Sequence, residues 1–463
     1  MKITISQRRF EEFFAGINRY LSAKEVFMIN ACRPRFIPGM RMIVAIALAN
    51  CVPAHASRVT ASAGFDPTDA TSALQSAIDS KADTVIVPKM SSDWIVTPIF
   101  LRVSNQTVIF QPGVAVVAKR GEFQDPGECL MTINASNVTL IGYGATLRMW
   151  KSDYINAPYV QGEHRHCLNM ESGNSNIQVL GLNLLSSGGD GLYIRRLKNI
   201  LIQDVTCDSN YRQGISIIAA ENMVIKDCVI LNTTGTAPQY GIDIEPNASS
   251  DYLTNCVIRN CYFEGNAQFT VGFVLNNLDS TNDITFSVEN CWLRGGSGGR
   301  GIAVAEIYKT TGPQGSIAFK NCYVEDTYAS GLGYYNVDPY QAQVTMDNVV
   351  WRNVNYHYSD PPFFFSESAT DQLGGLRFTR CYLDDAKNRA FMTINAPVAN
   401  IKGDITVADP YGAKYTLGTT AVDCSLQVIE RKSPVKSTVK IVAAVPVTIE
   451  GQGSTAPGIF RVD

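Results

Sequence analysis

The stretches S-G-G-D-G-L-Y-I (187–194), N-Y-R-Q-G-I-S-I (210–217) and Q-Y-G-I-D-I-E-P-N (239–247) share one pattern: a turn, a glycine, then a short alternating run. Setting Gly191, Gly214 and Gly241 above one another brings Leu192, Ile215 and Ile242 into line, and likewise Ile194, Ile217 and Ile244. Side chains on a strand alternate between faces, so Tyr193, Ser216 and Asp243 share the opposite face. The register extends outward: Cys167 precedes Leu168 and Met170, Gly272 precedes Phe273 and Leu275, Gly301 precedes Ile302 and Val304, and Gly331 precedes Leu332 and Tyr334. Through positions 167, 191, 214, 241, 272, 301 and 331 the steps are 24, 23, 27, 31, 29 and 30 residues, an irregular repeat of the kind solenoids carry.

A second ladder runs beside the first. Segments 199–207, 222–228, 255–261, 284–291, 316–322 and 376–381 are short strands that end at a cysteine, most of them opened or closed by asparagine or aspartate. Two or three short strands per step, with no room for a helix, make each step one coil of a parallel β-helix, with coils about 4.8 Å apart. A chain of 463 residues with 45% hydrophobic composition can bury the long core this requires, and the repeat argues for one elongated all-β domain. A formal net charge of -3 and the lack of a long basic run give no basis for capturing nucleic acid. Of the twelve cysteines, Cys228, Cys261, Cys291, Cys322 and Cys381 fall at the same point of successive coils, which suits small buried hydrophobes. No C-x-x-C pair suggests a metal site.

The organisation along the chain follows. Arg33, Arg35 and Arg41 flank a short apolar run, Met42 to Val52, followed by Ala54-His55-Ala56, which reads as a secretory signal cleaved before Ser57 and too short to span a bilayer. Residues 1–56 are thus an overextended start plus signal peptide, and the protein is expected to be secreted or periplasmic. In 57–120, the cap and first coils, G-F-D-P-T-D-A-T-S-A-L-Q-S-A-I-D (64–79) reads as an amphipathic helix. Asp66 serves as its N-cap, Pro67 as its first residue, and Ala73, Leu74, Ala77 and Ile78 as its apolar face. Such a helix covers the open end of a coil stack. Residues 121–405 hold the β-helix coils. In 406–463 the repeat fades, and 437–450 read as closing strands against the last coil or another subunit, which leaves the oligomeric state open.

The helix, followed by V-I-V-P (85–88) and V-I-F-Q-P-G-V-A-V (108–116), resembles the opening of the pectate-lyase-like superfamily of right-handed parallel β-helix proteins, and the later coils continue the likeness from about 60 to 400. The resemblance implies a right-handed coil and a polysaccharide partner. The superfamily holds polysaccharide lyases, polygalacturonase-type hydrolases, uronan epimerases and phage tailspikes, so fold alone does not choose the chemistry. Phe363, Phe364 and Phe365 read as buried core in preference to a sugar platform.

On this register His166, Asp190, Gln213 and Tyr240 occupy the turn before the aligned strand, with Arg165 and Arg212 one residue earlier. Asn169, Tyr193, Ser216 and Asp243 point outward, and Glu171, Arg195, Ile218 and Glu245 follow two residues on. One face thus gathers His164, Arg165, His166, Asp190, Arg195, Arg212, Asp243 and Glu245, whereas later coils put Val274 and Ala303 where Asp243 sits. Each has a plainer reading: Asp190 as a turn residue, Arg212 in a surface ion pair, His166 as structural.

The clustering favours a site. Asp243 and Glu245 are about 6.6 Å apart at Cα, so one carboxyl pKa is raised and becomes a usable general acid. Inverting glycosidases hold acid and base roughly 6.5–9.5 Å apart, which Asp243 with Glu245, or Asp190 with Asp243 at about 9.6 Å, would approach. The phrases loosely resemble a polygalacturonase's G-D-D, G-H-G and R-I-K series, but Gly189-Asp190-Gly191 lacks the second aspartate and Arg212-Gln213-Gly214 the histidine. In the rival reading, elimination or epimerisation of a uronate, Arg165, Arg195 or Arg212 holds the carboxylate, His166 is the base, and Tyr193 or Tyr240 the acid. His164 stands beside them as a substrate contact. Calcium on Asp243 and Glu245 is conceivable, but no tight acidic motif demands it, so no cofactor is expected. A non-catalytic glycan-binding solenoid is the third reading. The carboxylates tip the expectation toward cleavage of a polysaccharide by hydrolysis.

Overall fold

The computed structural model describes residues 57–308, 311–367 and 372–432; the expected signal and the 437–450 strands lie outside them. The chain winds into a parallel β-helix, with strands of successive coils paired in parallel and in register. One ladder is a 12-stranded sheet running from Ile99–Leu101 to Lys414–Leu417. Most coils add two further strands, such as Leu197–Gln203 and Thr206–Asp208. The inward row of the 12-stranded ladder, including Met131, Leu168, Leu192, Ile215, Ile242, Val271 and Ile302, is fully buried in one continuous apolar core.

Glycine recurs before the strand because the coils meet there. A Cβ on Gly191, Gly214 or Gly241 would lie 2.5–2.7 Å from the carbonyl oxygen of the next coil. One coil departs from this rule and corrects the expected register. Ile242 pairs with Val271 and Asp243 with Gly272, so Gly272, not Val274, sits where Asp243 sits one coil before. Counted on the strand residues 168, 192, 215, 242, 271, 302 and 332, the steps are 24, 23, 27, 29, 31 and 30. Thr270 stands at the glycine position of that coil, and its hydroxyl donates to Gly301 O at 2.7 Å.

The helix also begins later than expected, at Thr71, and spans Thr71–Asp79 with Ala70 as an N-cap that makes no side-chain hydrogen bond. Asp66 does not cap it; its carboxylate accepts from the Thr68 N–H and hydroxyl at 2.8 and 2.7 Å, holding 66–70 as a turn. The expected face, Ala73, Leu74, Ala77 and Ile78, is buried. Gln75 exchanges hydrogen bonds with the Phe100 carbonyl and N–H, tying the helix to the first strand of the ladder.

Two side-chain columns brace the corners. Asn105, Asn137, Asn176, Asn199, Asn222 and Asn255 have φ between 54° and 61°, a left-handed conformation asparagine tolerates. Each later carboxamide donates to the one before at 2.7–3.0 Å. The cysteines stack as buried, free thiols, with Cys228, Cys261, Cys291 and Cys322 in consecutive coils and Val349 between Cys322 and Cys381. Phe363 and Phe365 enter the core, while Phe364 between them points out and is exposed. The ladder runs on past 405, because Val398–Ala408 pairs with Ser425–Arg431.

Candidate active site

The pairing stacks His166, Asp190, Gln213, Tyr240, Phe269 and Arg300 in one row, one per coil, just before the 12-stranded ladder. Asn169, Tyr193, Ser216, Asp243, Gly272 and Ala303 form the outward row beside it. Asp190, Arg212 and Asp243 therefore lie on one side of the solenoid, outside the apolar core. They are nonetheless almost wholly shielded from solvent, at 0%, 8% and 1% exposure. The segment Glu163–Arg165 covers Asp190: a Cβ on Gly189 would meet Glu163 O at 2.4 Å, and Arg165 bridges to Gly188.

Within this layer Arg212 is the central cation. Its Nε lies 3.2 Å from Asp190 Oδ1, its Nη1 lies 3.8 Å from Glu163, and its Nη2 donates to Ser216 Oγ at 3.4 Å. The Nε contact is an ion pair without hydrogen-bond alignment, and neither Asp190 carboxylate oxygen receives a well-formed hydrogen bond. Burial pushes the Asp190 carboxyl up to about 6, with the Arg212 charge opposing it. Burial works against the Arg212 charge, and Asp190 and Asp243 outweigh it, so the guanidinium is held above its ordinary value. His166 Nδ1 accepts the Asp190 backbone N–H at 2.9 Å, and its ring is stacked on Tyr193 at 4.6 Å. Burial and the Arg212 charge hold the imidazole well below its usual pKa, so it is neutral.

One coil on, Gln213 fixes Asp243. Its Nε2 donates to Asp243 Oδ2 at 2.8 Å while its Oε1 accepts the Tyr240 N–H at 2.6 Å. Asp243 Oδ1 has no donor from the surrounding protein, and the Glu245 carboxyl is the charge that acts on Asp243 most strongly. Burial first, and the Glu245 charge second, raise the Asp243 carboxyl well above the carboxylate range, with Arg212 opposing. A carboxyl buried beside a second negative charge favours its protonated form, since two bare carboxylates would repel. Glu245 is half-buried, so the pair opens to solvent through it.

The remaining expected site residues divide. Arg165 is fully buried and donates to the carbonyls of Phe123, Gln124 and Val160, which makes it a brace for the covering segment in place of the expected substrate contact. His166, expected as a base, is 3% exposed with Nδ1 already engaged. His164 is exposed, Arg195 is exposed and faces Glu171 at 3.8 Å, and Tyr193 and Tyr240 are half-buried at the rim. A cleft of about 440 Å³ opens farther toward the N-terminal end of the same face, lined by Phe100, Glu128, Thr132, Asn169 and Glu171 among others. Sequence reasoning missed it because its coils lack the glycine-led phrases. Asp190 and Asp243 do not line it, so the chemistry is placed by the carboxyl pair and not by the size of the cleft. The donors around Asp243 do not fit calcium: Gln213 occupies one oxygen, Arg212 brings positive charge, and among the described residues no His, Cys, Asp and Glu cluster suits a metal.

A family profile described as a right-handed β-helix region matches residues 159–306. Over 138 residues the chain is 27% identical to the uncharacterized protein YclG of Bacillus subtilis (strain 168), covering 25% of this chain and 24% of that one. The Yersinia enterocolitica family 28 exopolygalacturonase superposes with TM-score 0.52 at 12% identity, covering 81% of this chain and 78% of the other. The A-module of the Azotobacter vinelandii mannuronan C-5 epimerase AlgE4 gives 0.51 at 13%, covering 81% and 99%. The catalytic unit of a GH87 α-1,3-glucanase from Streptomyces thermodiastaticus strain HF3-3 gives 0.51 at 14%, covering 82% and 69%. At these identities the likeness is one of fold, and the activities belong to those proteins. The coil stack, the profile and the superpositions agree on the fold: the chain is a right-handed parallel β-helix protein.

Proposed function

We propose that this chain is an exported carbohydrate-active enzyme that cleaves a glycosidic bond of a polysaccharide, and that it does so by hydrolysis. One observation carries the reading: the buried Asp243 carboxyl, raised by burial and by the Glu245 charge beside it, stands on the outer face of the β-helix with the half-buried Glu245 at its solvent side. Burying like charges side by side costs stability, and proteins place such pairs where a proton must be delivered. In the proposed step the pair protonates the glycosidic oxygen as its bond to C1 breaks, and water attacks C1 and gives up a proton. Asp190, two coils back and three residues earlier along the ladder, is the second carboxylate. It takes that proton once Glu163–Arg165 lifts from it.

Elimination is the less supported alternative. Its cation and base are occupied here: Arg212 by Asp190, Arg165 by backbone carbonyls, and His166 by the Asp190 N–H under Tyr193. Glycan binding without turnover is favoured by the deep burial of Asp190 and Asp243.

The test is a panel of neutral and uronic polysaccharides. New reducing ends without a new ultraviolet-absorbing double bond are expected. Both signals together refute hydrolysis in favour of elimination, and neither signal refutes cleavage. Replacing Asp243→Asn removes the proposed general acid and is expected to lower turnover by about 10²–10⁴ with unchanged folding; full retention moves the site elsewhere.

A further inference from the structure

Past the carboxyl pair the outward row changes character, because Asp243 is followed by Gly272, Ala303 and Gly333, one per coil. These small residues form a floor over which large rings lean. A Cβ on Gly272 would lie 2.4 Å from the Tyr240 ring, and one on Gly333 would lie 2.6 Å from Tyr335 and 2.9 Å from Phe269. Neither glycine has a positive φ, so the space is kept for the rings and not for backbone freedom. Tyr240 meets Phe269 edge to face at 5.6 Å, and Phe269 meets Tyr335 at 6.3 Å.

Arg300 enters this aromatic corner. It pairs in register with Phe269, its guanidinium carbon lies 5.4 Å from that ring, and its charge acts on the neighbouring Tyr335 hydroxyl, opposing the rise in pKa that burial causes. The other arginines of this face are engaged: Arg212 with Asp190 and Glu163, Arg165 with carbonyls, Arg195 with Glu171. Among the described residues no carboxylate lies within ion-pair distance of Arg300, though it is half-buried. A cation partly withdrawn from water and held beside aromatic edges suits a ligand that brings the anion itself.

We infer that Arg300 and Tyr335, above the Gly272, Ala303 and Gly333 floor, form a subsite for a uronic acid residue. The guanidinium pairs with the sugar carboxylate, and the apolar ring face rests on the aromatic edges. Arg300 stands two coil steps on from Asp243, about 9.6 Å along the solenoid axis, and three residues earlier along the ladder, so the charged sugar lies near the unit being cleaved. The opposite end of the face carries Glu128 and Glu171 in the cleft, which repel an anion and give the bound chain a direction. The inference rests on the glycan-cleaving reading for its purpose but is tested by binding alone.

The experiment measures calorimetric affinity of the full chain for short oligouronides, their carboxyl-reduced counterparts and sulfated neutral oligosaccharides. Wild type, Arg300→Gln and Arg300→Lys are compared, each with a thermal unfolding curve. Oligouronides are expected to bind at least about tenfold tighter than the reduced forms, Arg300→Gln to abolish that difference while leaving the reduced forms unaffected, and Arg300→Lys to restore part of it. Equal affinity for acidic and reduced sugars, equal losses for both in Arg300→Gln, tighter binding of the sulfated set, or no binding at all overturns the assignment. Selective uronate binding without turnover would sink the cleavage reading and keep this one; turnover that treats acidic and reduced substrates alike would do the reverse.

Discussion

Replacing Asp190→Asn is expected to flatten the dependence of stability on pH between about 4 and 7. Asp190 is fully buried, and its carboxyl is pushed from 3.8 to about 6, chiefly by burial. Between those values the folded protein keeps the proton that the unfolded chain has lost. Its contribution to stability is therefore fully present below 3.8, falls as pH climbs through the window, and is lost above about 6. A shift of about two units at 1.36 kcal/mol each amounts to roughly 3 kcal/mol, of which about 2–3 kcal/mol falls between pH 4 and 7. The asparagine variant carries its own constant penalty, because Arg212 loses its counter-charge, so the quantity to compare is the slope and not the absolute stability. Urea unfolding of both proteins at several pH values gives it. Carboxyls that do not feel Asp190 act on both proteins alike and cancel; Asp243, which does, is replaced by asparagine in a second matched pair. Parallel slopes would show that Asp190 is ionised throughout, paired to Arg212 more strongly than its burial allows, and would remove it as a proton acceptor tuned near neutrality.

Three further outcomes bear on the scaffold. Asn222→Ala is expected to cost about 1–3 kcal/mol in denaturant unfolding, from two carboxamide hydrogen bonds and a left-handed backbone, while Asn222→Gly loses only the former; equal costs would deny the conformational part. Gly214→Ala is expected to destabilise by about 1–3 kcal/mol, since the added methyl would lie 2.5 Å from Gly241 O and 2.3 Å from Ile230; a neutral result would mean the coils separate freely there. Among the described cysteines, alkylation of the native protein followed by mass spectrometry is expected to modify Cys424, which is partly exposed, and to spare the nine buried thiols. Rapid labelling at Cys261 or Cys291 would show that the stack opens.

Much of the architecture was written in the order of residues. Gly191, Gly214 and Gly241 could be aligned by eye because a coil that must touch the next carbonyl tolerates nothing larger, and the alternation after each glycine separates core from outer face. Asn199, Asn222 and Asn255 were visible as strand openers for a related reason: few other residues hold a left-handed turn and hydrogen-bond a copy of themselves. The reading slipped at Gly272, where a glycine serves the Tyr240 ring and not the coil contact, a distinction that one-dimensional alignment has no means to draw. Arg300 stood in the correct register two residues before Ile302, yet its lack of a counter-ion is a property of its surroundings and not of its position.

By itself the sequence determined the coil, the face and the rows on which Asp190, Arg212, Asp243 and Glu245 stand, because strand periodicity is local. Only the tertiary structure decided which of those groups solvent reaches. The burial of Asp190 and the use of Arg165 as a brace depend on the segment Glu163–Arg165 folding over its neighbours, and such long-range contacts leave no periodic trace in the chain.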